Sequence, residues 1–199
     1  MVPPSRVPMD ESLFYLGESM PHTSEWLVEQ AVPEDAEALA YMHAESFKEA
    51  YLGDDEERNA AVLAESAAFM SPDRLRKRVE LIHESMLNSD REFYAVVNDD
   101  AGIAIGLIYG FKEESLQELS ALYINKQYFG SGLAQALAGE FLEWCDRDKP
   151  VEVGVFVENA RAQKFYQKIG FQATGKAHDS YYEFLPETKM ILPKRQGDI

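Results

Sequence analysis

The chain has 199 residues and a formal net charge of -16, with 46% hydrophobic and 12% aromatic residues. That length and apolar content suit one globular domain with a full core, and they exclude a disordered chain. The acidic balance argues against a nucleic-acid partner, since neutralising phosphates needs basic surface, and it weakly favours a cationic or neutral substrate.

Residues 1–24 hold four prolines around an apolar patch, Leu13–Leu16. They read equally as an arm docking through Phe14 and Tyr15 and as a mobile tail. Trp26–Ala31 reads as a first strand. Pro33-Glu34-Asp35 then opens a helix, with proline tolerated in the first turn and acids suited to the dipole. Leu39, Met42, Phe47 and Tyr51 carry its apolar spacing to about Leu52. Gly53-Asp54-Asp55 breaks the pattern, and a second helix is expected over Glu57–Phe69. Ser71-Pro72-Asp73 starts a third, running to about Leu87 with Leu75, Val79, Ile82 and Met86 on one face.

Glu92–Val97 and Ile103–Phe111 are expected strands joined by the turn Asn98–Gly102. An alternating run from Glu118 follows. It turns through Phe129-Gly130-Ser131-Gly132 and opens a helix at Leu133 that runs to about Cys145. Val151–Val157 is a strand by its β-branched content. Asn159 caps a helix to Ile169, Gly170 ends it, and Phe171–Thr174 and Tyr181–Leu192 close the sheet. The fold class is therefore α/β, a mixed central sheet flanked by helices in a single domain over 25–193. Lys194–Ile199 is a polar tail.

No apolar run approaches a membrane span, and the N-terminus lacks a basic stretch followed by a long apolar core. The expectation is a cytoplasmic protein without a membrane partner. The single cysteine, Cys145, excludes an intrachain disulfide and suits a reducing compartment. It reads as a core residue beside Trp144. His43, His83 and His178 show no metal-ligand spacing, so no metal is expected. All three read as ordinary surface or core histidines, His178 standing just before the last strand.

A strand that runs through a glycine turn into a helix can hold phosphate. Glycines let backbone N–H groups approach an anion, and the helix N-terminus adds unpaired donors. Two segments then carry a resemblance. The turn is similar to the Gln/Arg-x-x-Gly-x-Gly/Ala motif of the GNAT superfamily of acetyl-CoA-dependent N-acetyltransferases. Gln127–Gly132 matches its letters. Phe129–Ala134 better fits the spacing and puts Phe129 where the family has Gln or Arg. The second segment, Asn159–Phe171, resembles the family's Asn-x-x-Ala-x-x-Phe-Tyr-x-x-x-Gly-Phe signature.

The resemblance implies an acyltransferase with acetyl-CoA as acyl-donor cosubstrate. It implies that the N–H groups of Phe129, Gly130, Ser131, Gly132, Leu133 and Ala134 cradle pyrophosphate. Leu122, Tyr123 and Ile124 would line the pantetheine arm and acetyl carbonyl, and Asn159 and Ala162 would face the cofactor. Tyr166 matches the general-acid tyrosine, although a tyrosine at helical spacing also reads as core. An attacking amine must be neutral, which calls for a base. Glu118 is the first candidate, on a strand face shared with Ser120 and Leu122, and a salt-bridged edge carboxylate is an equal reading. Tyr123 would fall on the opposite face.

The expected reaction is acetyl transfer to a primary amine by direct attack, with a small cationic amine as the small-molecule partner. Residues 52–90 and Ser180–Pro186 would form the acceptor wall. A protein N-terminus or lysine as acceptor, or a silent CoA-binding module, are the alternatives, and a homodimer is an assembly the reading allows.

Overall fold

The computed structural model describes residues 26–195. The arm expected over 1–24 and the last four residues of the polar tail lie outside the described residues. A seven-stranded sheet runs β1 (Glu29–Gln30), β2 (Glu92–Asn98), β3 (Ala104–Lys112), β4 (Gln117–Ile124), β5 (Val151–Phe156), β7 (Glu187–Leu192) and β6 (Gln172–His178). All neighbours are antiparallel except β4 and β5. That parallel pair needs a crossover, and α4 (Leu133–Trp144) supplies it.

Helices α1 (Ala36–Tyr51), α2 (Glu56–Ala68) and α3 (Pro72–Leu87) lie on one face. There Leu39, Met42 and Ile82 pack on Tyr94, Val96 and Leu107. Helices α4 and α5 (Ala160–Lys168) cover the other face, where Leu133, Leu137, Phe141 and Tyr166 meet Ile105, Ile108 and Val153. The caps follow from sequence. Asp55 accepts from the Arg58 N–H at 2.9 Å, and Ser71 from the Arg74 N–H at 3.4 Å.

Two strand boundaries and one helix face depart from expectation. The first strand shrinks to Glu29–Gln30, because Trp26 leaves the sheet edge to pack against Tyr128 and donates its indole N–H to Ser131 O at 3.2 Å. The buried stripe of α3 runs through Ile82 and Ser85, whereas Val79 and Met86 are 38% and 40% exposed. Arg78 replaces them on the inner face, bonding Tyr94 and His43. The last strand begins at Glu187 rather than Tyr181. Tyr182, Phe184 and Leu185 turn into an aromatic cluster with Phe47 and Phe69 instead of pairing in the sheet.

Candidate active site

The site grows from a flaw in β4. Tyr109 opposes Ala121 and Gly110 opposes Leu119, so Ser120 is an extra residue, a β-bulge. Beside it, β4 pairs with β5 only at Glu118–Glu152 and Leu119–Val153, although the strands run on to Ile124 and Phe156. Gln117, 1% exposed, fastens the closed end. It donates to Asp146 O at 2.8 Å and accepts from Asp146 N–H at 2.7 Å. Past that clamp the strands part, and the β5-facing backbone edge of Leu122, Tyr123 and Ile124 has no strand partner. A cavity of about 870 Å³ opens there.

The bulge also reverses the side-chain alternation. Leu119, Leu122 and Ile124 pack on the α4–α5 side, and Ala121 and Tyr123 on the α1–α3 side. Glu118, adjacent to Leu119, therefore shares a face with Tyr123 and not with Leu122, which corrects the strict-alternation reading.

At one end of the cavity lies the glycine turn. Asn125 caps a short 3-10 turn over Lys126–Tyr128, and Gly130 and Gly132 follow with φ of 81° and 90°. Those left-handed angles are what glycine alone adopts readily, and they curve the chain into a concavity of N–H groups. The N–H groups of Phe129 and Ser131 bond back to Lys126 O and Tyr128 O, and that of Leu133 reaches Ser131 Oγ at 3.3 Å. The N–H groups of the turn without a partner among the described residues are thereby those of Gly130, Gly132 and Ala134 at the start of α4. A Cβ at Gly130 would meet nothing within 4 Å, so the space above it is open. The Arg161 guanidinium stacks 3.6 Å above the Phe129 ring, placing a cation beside the turn. Asn159 spends its side-chain oxygen on capping α5, accepting from Ala162 N–H at 3.0 Å, and both residues line the cavity.

Tyr166 reaches the cavity from α5 and is 6% exposed. Burial, with the nearby Tyr51 and Glu187, pushes its phenol well up from the ordinary value, so it stays protonated at neutral pH. Its hydroxyl has no hydrogen-bond partner among the described residues.

The far end is acidic and aromatic. His178, at the tip of β6, sits with Nδ1 3.1 Å from Glu187 Oε2 and Nε2 3.7 Å from Glu118 Oε2. Burial raises the Glu187 pKa; His178 opposes the shift and Glu118 adds to it. The Tyr51 and Tyr123 hydroxyls meet at 3.2 Å, and both phenols are raised by burial. His43 is stacked on Phe69 and takes Arg78 Nη2 at Nδ1, 2.9 Å away; burial first and the Arg78 charge second hold it well below the usual histidine range. The wall comes from α1 and from the loop after β6. Residues 52–90 stand one layer behind, through Val62 and Phe69 and through Glu65, which accepts from the Tyr182 hydroxyl at 3.2 Å.

A family model described as an acetyltransferase (GNAT) domain matches residues 32–191. The chain belongs to the GNAT acetyltransferase family. The L-amino acid N-acetyltransferase AaaT of Escherichia coli strain K12 is 38% identical over 72 residues, covering 30% of this chain and 44% of that protein. The matched part is thus less than half the length of that curated relative. Among solved structures, PaiA N-acetyltransferase from Thermoplasma acidophilum, in complex with coenzyme A, has a TM-score of 0.66 at 19% identity, over 86% of this chain and 99% of its own. YncA from Salmonella typhimurium with its cofactor acetyl-CoA has a TM-score of 0.61 at 15% identity, over 88% and 98%. At those identities the likeness is one of fold.

Leu122–Ile124 on β4, the glycine turn and Tyr166 line one cavity of this GNAT domain. Sequence reasoning missed Glu187 and gave His178 no part. Glu187 opens a strand whose start was misplaced. His178 was an isolated histidine until β6 and β7 paired, with His178 opposite Glu187. Trp26 and Arg161 were missed as well, since their partners lie 105 and 32 residues away in the chain. Among the described residues no cluster of His, Cys, Asp or Glu is arranged to hold a metal, and no helix is long and apolar enough to cross a membrane.

Proposed function

We propose that this GNAT domain transfers acetyl from acetyl-CoA to the primary amine of a small cation by direct attack. The observation that carries the reading is the cleft between β4 and β5, with an N–H cradle at one end and a carboxylate cluster at the other. The site fits the cosubstrate. Gly130, Gly132 and Ala134 offer N–H groups to the pyrophosphate, and Arg161, Lys164 and Lys168 add positive charge along the same wall. The open edge of Leu122–Ile124 can pair with the amide-bearing arm as a strand would, and one of its N–H groups can stabilise a developing oxyanion by roughly 3 kcal/mol.

Bound acetyl-CoA supplies an acetyl group activated as a thioester and a thiolate leaving group. Tyr166, neutral and without a protein partner, donates its O–H toward that thiolate. Glu118 attracts the incoming ammonium. Cys145 takes no part in the reading: it is buried outside the cavity lining, and burial pushes its thiol up to about 12, which disfavours an acyl-enzyme.

The acceptor class follows from charge. Glu118, Glu187 and Asp179 line the far end. An L-amino acid, the acceptor in the AaaT name, would bring its own carboxylate into a field that already holds three. An aliphatic amine or diamine does not meet that cost.

Adding CoA is expected to protect the amides of Leu122–Ile124 and Gly130–Ala134 from hydrogen exchange. Acetyl-CoA with pooled amines is expected to release free thiol. Protection without thiol release across a broad panel would make the chain a silent CoA-binding module, and the absence of both would remove the cofactor assignment.

A further inference from the structure

The contact between β6, β7 and β4 points beyond Glu118 alone as the proton acceptor. His178 Nδ1 lies 3.1 Å from Glu187 Oε2. A carboxylate only accepts, so the contact holds the proton on Nδ1 and leaves the Nε2 lone pair bare. Nε2 faces Glu118 Oε2 across a gap of 3.7 Å, too long for a direct hydrogen bond but short enough for one ammonium beside the gap to reach both atoms. The other Glu118 oxygen accepts from Ser120 Oγ at 3.1 Å, which leaves Oε2 for the gap. All three side chains line the cavity and are mostly buried, at 10% exposure for His178, 19% for Glu118 and 20% for Glu187. Gly154 on β5 makes room for the pair. A Cβ there would overlap both Glu187 Oε2 and His178 Nδ1.

We propose that His178, oriented by Glu187, is the base that takes the acceptor's proton, while Glu118 holds the ammonium. The inference rests on the amine-acetylation reading above. An imidazole is intrinsically a stronger base than a carboxylate and so the better acceptor for an alkylammonium proton.

The step balances. An N–H bond of the ammonium breaks and Nε2–H forms, and the freed lone pair bonds to the acetyl carbon. The C–S bond then breaks, and a second nitrogen proton passes by way of Tyr166 to the sulfur, giving the free thiol. The imidazolium formed stands between two carboxylates and releases its proton to solvent. The titratable groups around His178 are Glu118 from β4, Glu187 from β7 and Asp179 next along the chain. The phenols of Tyr51, Tyr123 and Tyr166 lie close enough to feel the Glu187 charge. From β5 the neighbour is Gly154.

The test is the pH dependence of thiol release with acetyl-CoA and n-butylamine or diaminobutane. The wild-type rate is expected to rise with pH along a limb set by the acceptor's base. His178→Gln is expected to lose that limb and about 100-fold in kcat, while KM for acetyl-CoA stays within about twofold. His178→Asn serves if the first variant folds poorly, with CoA-dependent protection of Leu122–Ile124 reporting the fold. Glu118→Gln is expected to raise KM for the amine and keep the limb. The imidazole nitrogen spectrum of neutral His178 is expected to show the Nδ1–H form, lost to a mixture in Glu187→Gln. A limb that survives in His178→Gln and vanishes in Glu118→Gln would overturn the assignment in favour of Glu118, and a wild-type Nε2–H form would overturn it too. A wild type that releases no thiol with any amine overturns the acetylation reading and this base with it. Wild-type rates in His178→Gln overturn the base alone.

Discussion

Tyr166 is packed as a core residue, and the proposed reaction asks its hydroxyl to donate a proton as well. Its ring meets Phe171 and Phe165 edge-on, at centroid distances of 5.4 and 5.3 Å, which fixes the phenol at the cavity wall. Removing only the hydroxyl leaves that packing in place. Tyr166→Phe is therefore expected to lower kcat roughly 100-fold with little change in KM for acetyl-CoA, measured by steady-state thiol release. An unchanged kcat would take Tyr166 out of the mechanism. Phe129 shows the converse, a departure from the family motif that looks like a loss in the sequence. In the fold its ring carries the Arg161 guanidinium, so the positive charge comes from α5 instead of the turn. No local pattern links the two positions, and only the closure of β5 and α5 against the turn brings them together.

Among the elements, helices and strands were legible where the apolar period was long and the caps were local. Asp55, Ser71 and Asn159 each mark a helix start a few residues from the bond they make. The bulge at Ser120 was not legible, because Glu-Leu-Ser-Ala-Leu reads as an unbroken alternation until β3 is paired against it. That single extra residue decides which face Glu118 joins. The Gln117 clamp was equally hidden, since its partners are the carbonyls and N–H of a distant turn. Gln117→Ala removes buried bonds to Asp146 and Pro150 and leaves the Asp146 N–H unpaired, while the Asp146 carbonyl keeps the Lys149 N–H at 3.1 Å. The expected loss is about 2 kcal/mol of stability in urea unfolding, and the cleft it closes should also exchange amides faster at Leu119. Stability within about 0.5 kcal/mol of wild type would show that the clamp is not what closes the strands.

At the scale of the molecule, the order of elements and the mixed sheet follow from the hydrophobic pattern and its turns, while the polarity of the cavity does not. The chain carries a net charge of -16, yet Arg161, Lys164 and Lys168 of α5 line the cavity, Arg161 beside the glycine turn, and Glu118, Asp179 and Glu187 line its other end. A polyanionic cosubstrate and a cationic acceptor would so be drawn to opposite mouths of one cleft. The acidic surface outside should make capture of a cationic amine weaken with added salt. The most direct measurement is kcat/KM for thiol release from acetyl-CoA, compared between aliphatic diamines, L-amino acids and N-terminal peptides at low and moderate salt. The account predicts the highest value for the diamines, falling as salt rises. A preference for amino acids or peptides, or a rate indifferent to salt, would contradict it.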